Sequence, residues 1–359
     1  MRSTDQHTSK GARAGSPGTV RVTEVVLPGI VEPAGLELHT RELPAPTRGQ
    51  ALIEVEASGI SFAEQSMRRG RYPGQPKFPF VPGYDLVGTV SAVGPGTDPD
   101  LVGRRVAAMT KTGGWASHAL LLAADLVPVP DGVDPAEAET LIVNGVTAWQ
   151  LLHRKARVRP GQTVLVHGAN GGVGTTLVQL ARHAGLRVIG TSSPRHHEVL
   201  RALGAIPLDY AAGDLAEQVR ALAPDGVDAA FDHIGGESLL RSWQLLAPHG
   251  TLVSYAIAGK VAGTGSIWGP FLATLARVLW WNVAPNGRRA GFYDLWAGHR
   301  RRPAAFRART RADLGAVLAL LADGTLTPQI AARLPLARAR EAMELAESHT
   351  VAGKVILTP

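Results

Sequence analysis

The sequence predicts a mixed α/β protein that joins a β-rich, glycine-dense domain to a doubly wound parallel sheet. Three observations predict it. The run Val164-Leu165-Val166-His167-Gly168-Ala169-Asn170-Gly171-Gly172-Val173-Gly174 reads as a short apolar strand and a glycine turn, after which Val173, Leu177, Leu180 and Ala181 fall on one face of a helix. A second strand, Arg187-Val188-Ile189-Gly190, follows at the distance expected within a βαβ unit. Upstream, residues 20–26 and 51–57 alternate apolar and polar positions, and Gly94, Gly96 and Gly103 mark turns in a segment that cannot share the sheet of that unit.

Strand, glycine turn and helix form the first half of a dinucleotide-binding unit. The turn is too tight for a Cβ, and the backbone must approach a pyrophosphate closely. The helix start then offers unpaired N–H groups and a partial positive charge. Gly168, Ala169, Asn170, Gly171, Gly172, Val173 and Gly174 are therefore candidate cofactor contacts. The spacing departs from a strict Gly-x-Gly-x-x-Gly, and the same turn also suits plain packing of a helix on a sheet. The second strand runs into Thr191-Ser192-Ser193-Pro194-Arg195-His196-His197, where an NAD enzyme usually carries an acid for the ribose 2′-hydroxyl. No acid is present. Ser192, Ser193 and Arg195 suit a 2′-phosphate instead, which favours NADPH over NADH; the alternative is a solvated basic turn.

A chain of 359 residues suits two domains with proper cores. It has no cysteine, which excludes disulfides, thiol nucleophiles and thiolate metal sites and agrees with a reducing, cytoplasmic setting. Residues 1–18 read as a disordered polar tail without the apolar core of a signal peptide. No apolar run is long and charge-free enough to span a bilayer. The net charge of +7 admits an acidic partner, but no nucleic-acid-binding motif accompanies it, so no nucleic acid is expected.

Taken in order, residues 59–73 read as a short helix ending at Gly70, and residues 78–90 run into a strand. Residues 131–158 read as helix passing into the parallel-sheet domain. Residues 198–204 read as a helix closed by Gly204. Residues 206–210, 227–232 and 250–255 supply further strands, whose carboxyl ends place Ile234, Gly235, Ser254 and Tyr255 at a ligand cleft. Residues 267–281 are aromatic and apolar, and eight arginines follow between Arg288 and Arg311. A lid or a subunit interface is favoured there over a basic membrane-surface helix. Helices over 312–321 and 337–348 and a strand over 354–357 close the chain.

Gly59–Pro73, Pro82–Val106, Thr147 and Gly168–Gly174 resemble the medium-chain dehydrogenase/reductase superfamily, and within it the zinc-free quinone oxidoreductase and enoyl reductase branch. The resemblance implies a GroES-like catalytic domain over 19–140, completed by 297–359. It implies a Rossmann domain over 141–296, with an insertion near 260–290 and the active site in the cleft between the two domains. It implies that Thr147, Tyr210 and Lys354 lie near the cofactor, where the alternative for Thr147 is a helix threonine bonding its own backbone and for Lys354 a surface strand residue; Asn144, close to Thr147, is a further candidate facing the cleft. It implies a homodimer paired through an edge strand near 290–296. In zinc alcohol dehydrogenases a cysteine ligand falls where Ser61 stands and a histidine where Tyr84 stands; a serine and a tyrosine are poor zinc ligands, so no metal is expected despite twelve histidines.

The expected reaction is metal-independent hydride transfer from NADPH to an enone or quinone. Tyr72 resembles the proton donor of related enoyl reductases, and Ser61 takes the place of a polar residue near substrate. The alternative for Tyr72 is a loop aromatic packed beside Pro73. Two other readings stay open: a tailoring reductase or dehydrogenase on a polyketide-like substrate, and a low-turnover, membrane-associated NADPH-binding protein.

Overall fold

The computed structural model describes residues 18–261, 268–283, 285–348 and 350–359. Most of the tail expected over 1–18, and part of the insertion near 260–290, lie outside the described residues.

The first half is β-rich. It contains β1 (Val20–Val26), β2 (Glu37–Leu43), β3 (Gln50–Ile60), α1 (Phe62–Arg68), β4 (Asp85–Val93), β5 (Arg105–Met109), β6 (His118–Leu122) and β7 (Val127–Pro128). β1 and β2 form a hairpin. β2 escapes the sequence pattern because six of its seven residues are exposed and only Leu43 is buried. Two short helices, α2 (Pro135–Thr140) and α3 (Ile142–Trp149), then lead into the parallel sheet. Pro135 is well placed in the first turn of α2, where Asp134 accepts from Ala136 N and Glu137 N.

Next come β8 (Thr163–Val166), α4 (Gly172–His183), β9 (Arg187–Ser192), α5 (His197–Ala202), β10 (Ile206–Asp209), α6 (Leu215–Leu222), β11 (Val227–Asp232), α7 (Glu237–Gln244), β12 (Leu246–Ser254), α8 (Ala258–Val261), α9 (Trp268–Val283) and β13 (Arg289–Phe292). The six strands run parallel in the order β10-β9-β8-β11-β12-β13. This is the doubly wound sheet: β8 lies beside the switch where the order reverses, so its carboxyl end opens on a crevice. Val164, Leu165 and Val166 are fully buried, as a central parallel strand requires.

α10 (Pro303–Ala322), β14 (Ile330–Pro335), α11 (Ala339–Glu347) and β15 (Lys354–Thr358) complete the chain. β15 returns to the first half and pairs antiparallel with β3, in a seven-stranded sheet ordered β14-β15-β3-β4-β5-β7, with β6 also on β3. α10 starts nine residues before the expected helix at Ala312. Its arginine-rich first turns hide the helical pattern, because those arginines find their partners elsewhere in the fold. Arg307 pairs with Asp125 at 2.6 Å, Arg309 lies over the Phe306 ring and bonds the Ala297 carbonyl, and Arg311 reaches the carbonyls of Ala124 and Leu126. Arg288 likewise bonds the carbonyls of Trp243 and Ala247. These four arginines serve the fold, which dilutes the basic patch the sequence suggests.

α9 packs on β13 with Thr274, Val278 and Trp281 inward, and leaves Leu272, Leu279, Trp280 and Val283 exposed. Among the described residues no helix is long and apolar enough to cross a membrane. β13 is the terminal strand, but its edge is not free at Ala290. The Asn282 amide accepts from Ala290 N at 3.0 Å and donates to Ala290 O at 2.8 Å, standing in for a neighbouring strand.

Candidate active site

The glycine turn begins where β8 ends. His167 closes the strand, its Nε2 2.9 Å from Ser242 Oγ and its Nδ1 3.2 Å from Thr191 Oγ1. Gly168 takes φ +61, Ala169 N donates to Thr191 O, and Gly171 N donates to Gly168 O. A Cβ at Gly174 would lie 2.3 Å from Gly168 O, and one at Gly172 would lie 2.5 Å from Asn144 Nδ2. α4 then starts at Gly172 with no side-chain cap. This leaves a cradle of backbone at the start of a twelve-residue helix, whose unpaired N–H groups fit a pyrophosphate.

The carboxyl end of β9 gathers the expected 2′-phosphate group of residues. Ser192 is buried and donates to Ser193 O; Arg195 is exposed, and its Nε donates to Ser193 Oγ at 3.3 Å. Tyr210 N donates to Ser192 O at 3.3 Å, which brings the exposed Tyr210 ring to the same turn.

After β11, Asp232 fixes the turn that carries Ile234 and Gly235. Its Oδ1 accepts from both of their N–H groups at 2.9 and 2.8 Å, and its Oδ2 accepts from Ser238 Oγ at 2.6 Å. Ser254 is buried at the end of β12, and its carbonyl accepts from Tyr293 N. Tyr255 N donates to Asp232 O, and the Tyr255 ring stands 5.8 Å from that of His233. Among the described residues His233 Nδ1 is buried without a hydrogen-bond partner. On α3, Asn144 Nδ2 donates to Thr140 O, and Thr147 lies beside the Tyr293 phenol, which donates to Gln150 Oε1 at 3.2 Å. Asn144 thus borders the glycine cradle, and Thr147 borders the carboxyl end of β12.

Across the seam, Ser61 caps α1. Its Oγ accepts from Ala63 N and bonds to Glu64 Oε2, while Ser61 N donates to the same oxygen at 2.8 Å. Glu64 Oε1 accepts from Tyr84 N at 2.6 Å. Burial and the nearby Asp85 push the Glu64 carboxyl above its ordinary value. The Ser61 hydroxyl is therefore engaged in the cap. The Tyr72 hydroxyl bonds to the Tyr84 hydroxyl, which in turn accepts from Trp296 Nε1. Burial pushes the Tyr72 phenol up to about 12 against the hydrogen bond from Tyr84, and raises Tyr84 further.

Lys354, expected near the cofactor, is held by two carboxylates. Its ammonium is buried between Asp85, at 2.9 and 3.0 Å, and Glu139, at 2.8 Å. Burial alone would lower its pKa; the two carboxylates outweigh that and raise it. Asp85 Oδ2 also accepts from Val143 N at the start of α3. The triad joins β4, α2, α3 and β15. The neighbouring backbone touches the cradle, with Gly353 N donating to Asn170 O at 3.4 Å.

Residues 47–131 match the alcohol dehydrogenase GroES-like domain, and residues 203–357 match the family described as zinc-binding dehydrogenase. The human synaptic vesicle membrane protein VAT-1 homolog is 32% identical over 326 residues, covering 88% of this chain and 80% of its own. The chain belongs to the medium-chain dehydrogenase/reductase superfamily. Among solved structures of similar shape, a quinone oxidoreductase from Pseudomonas syringae aligns at TM-score 0.81 and 28% identity, over 94% of this chain and all of the other. A mycobacterial protein solved in complex with NADPH aligns at TM-score 0.79 and 29% identity, over 94% and 100%.

In this dehydrogenase/reductase several site-forming residues escape sequence reasoning. Asp232 is a strand residue like any other until its carboxylate is seen to hold the 234–235 turn. Glu64 carries a local signal, the Ser-x-x-Glu capping box. Trp296 carries none, since it reaches Tyr84 across 212 positions of chain.

Proposed function

We propose that this protein transfers hydride from NADPH to an α,β-unsaturated carbonyl or a quinone without a metal. The observation that carries this reading is the uncapped glycine cradle at the start of α4. NADPH, when bound, supplies the hydride. The backbone of 168–174 would hold its pyrophosphate, and Ser192, Ser193, Arg195 and Tyr210 its adenosine phosphate. Asn144, Thr147, Ile234, Gly235, Ser254 and Tyr255 would flank the nicotinamide end. Tyr72 stays protonated at neutral pH and donates to the oxygen on which negative charge develops. Ser61, whose hydroxyl is held in the cap of α1, would be a subsidiary polar group there.

The chemistry of the donor set supports metal independence. At the two positions where zinc relatives carry ligands, Ser61 caps a helix and Tyr84 is held by Trp296 and Tyr72. Among the described residues no three His, Asp or Glu side chains gather as a metal site.

The test is NADPH oxidation followed at 340 nm with a panel of enones and quinones, before and after chelation. Turnover that survives chelation and falls in Tyr72→Phe, at unchanged NADPH affinity, is the expected result. Failure to bind either pyridine nucleotide, or stoichiometric zinc needed for turnover, would overturn the reading.

The outward face of α9 supports a contact between two copies, with Leu272, Leu279, Trp280 and Val283 covered in a dimer. Sedimentation at micromolar concentration tests it. A monomer that floats with anionic vesicles would favour the membrane-associated reading instead.

A further inference from the structure

Three aromatic side chains from separate stretches meet at the seam. Tyr72 comes from the loop after α1, Tyr84 from just before β4, and Trp296 from beyond β13. The Tyr72 and Tyr84 rings meet edge to face at 5.8 Å, as do those of Tyr84 and Trp296 at 5.6 Å. Trp296 Nε1 bonds to the Tyr84 hydroxyl, which bonds to the Tyr72 hydroxyl.

An indole N–H can only donate, and a phenol carries a single proton. Tyr84 must therefore accept from Trp296. Tyr84 is 3% exposed, and among the described residues its hydroxyl bonds only to Trp296 and Tyr72. If it accepted from both, its own proton would be buried with no acceptor, an arrangement that is costly in a protein interior. Its proton therefore points to the Tyr72 oxygen. Tyr72, only partly buried, accepts that bond and keeps its own proton for a third group.

We infer that Trp296 is a positioning residue that sets the direction of this hydrogen-bond chain, so that Tyr72 presents its proton to the substrate's carbonyl or quinone oxygen. The inference rests on the reading of Tyr72 as the donor. No bond to carbon is made or broken by the chain; it orients one proton and strengthens one donor. Trp296 also stacks on Phe306 at 5.7 Å, so a phenylalanine at 296 keeps an aromatic ring in the stack while removing the N–H and some ring volume.

The test compares Trp296→Phe, Tyr84→Phe, the double variant and Tyr72→Phe, with kcat and KM for one turned-over enone and the Kd of NADPH. Losing one neutral hydrogen bond predicts a kcat lower by about fivefold to tenfold in Trp296→Phe and in Tyr84→Phe, with the NADPH Kd unchanged. The double variant should be no slower than Tyr84→Phe alone, because the indole acts only through Tyr84. Wild-type kcat in Trp296→Phe beside a slow Tyr72→Phe, or losses that multiply in the double variant, would overturn the inference and leave the function standing. Should Trp296→Phe fail to bind NADPH, Tyr84→Phe decides: wild-type kcat there also overturns it. Wild-type kcat in Tyr72→Phe would instead remove the donor assignment on which it depends.

Discussion

The imidazole of His233 fills the space that a side chain on Gly168 would need: a Cβ there would stand 2.2 Å from His233 Cε1. Gly168 also sits at φ +61, which an L side chain adopts only with strain. Gly168→Ala should therefore lose about 2 kcal/mol or more in stability, and NADPH binding with it. Adding His233→Ala should relieve the clash but not the backbone strain, so the double variant should recover only part of the loss. Chemical denaturation and fluorescence titration measure both. A stable, tightly binding Gly168→Ala protein would show that the turn adjusts freely.

Arg195 is exposed, and its Nε donates to Ser193 Oγ in the turn after β9. Removing it takes away a charge-assisted contact available to a 2′-phosphate and nothing that NADH uses. Arg195→Ala should lower the ratio of kcat/KM for NADPH over NADH by about tenfold, with NADH turnover unchanged. An unaltered ratio would reduce the turn to solvated surface.

Burial lowers the pKa of both His167 and His233 below the ordinary 6.5, more than the nearby Asp232 raises it. The unfolded chain then binds more protons than the folded one as pH falls below 6.5. The stability from keeping these rings neutral is present above that pH and is lost toward each folded pKa. Each excluded proton adds a slope of up to about 1.4 kcal/mol per pH unit. Melting temperatures should fall between pH 6.5 and 5, and His167→Gln should flatten the fall. A curve identical to wild type would mean that His167 binds its proton alike in the folded and unfolded chain.

Asn282 occupies the outward N–H and C=O of Ala290. Asn282→Ala should expose that edge of β13 to another strand. The expected outcome is a higher self-association constant by sedimentation velocity, with NADPH affinity unaltered. Equal association in the two proteins would show that the edge takes no part in contacts between copies.

Local chemistry made much of the architecture legible in advance. The parallel sheet announces itself because a central strand must be apolar throughout and a dinucleotide turn must be glycine, both of which are properties of short windows. The return of residues 354–357 was legible only through family likeness, since the apolar pattern says strand but not which sheet. The helix from Pro303 was hidden by arginines whose partners, Asp125 and the 124 and 126 carbonyls, lie far away in sequence.

The sequence by itself determined the two kinds of sheet, the cradle at 168–174, the lack of an acid after β9, and the absence of cysteine. These are matters of composition, period and backbone permission. Only the folded chain shows that Lys354 is locked between Asp85 and Glu139, that Glu64 ties the start of α1 to the backbone of Tyr84, and that Trp296 directs Tyr84 toward Tyr72. Each of those depends on side chains brought into hydrogen-bonding distance by folding, and a linear pattern carries no record of which distant donor meets which buried acceptor.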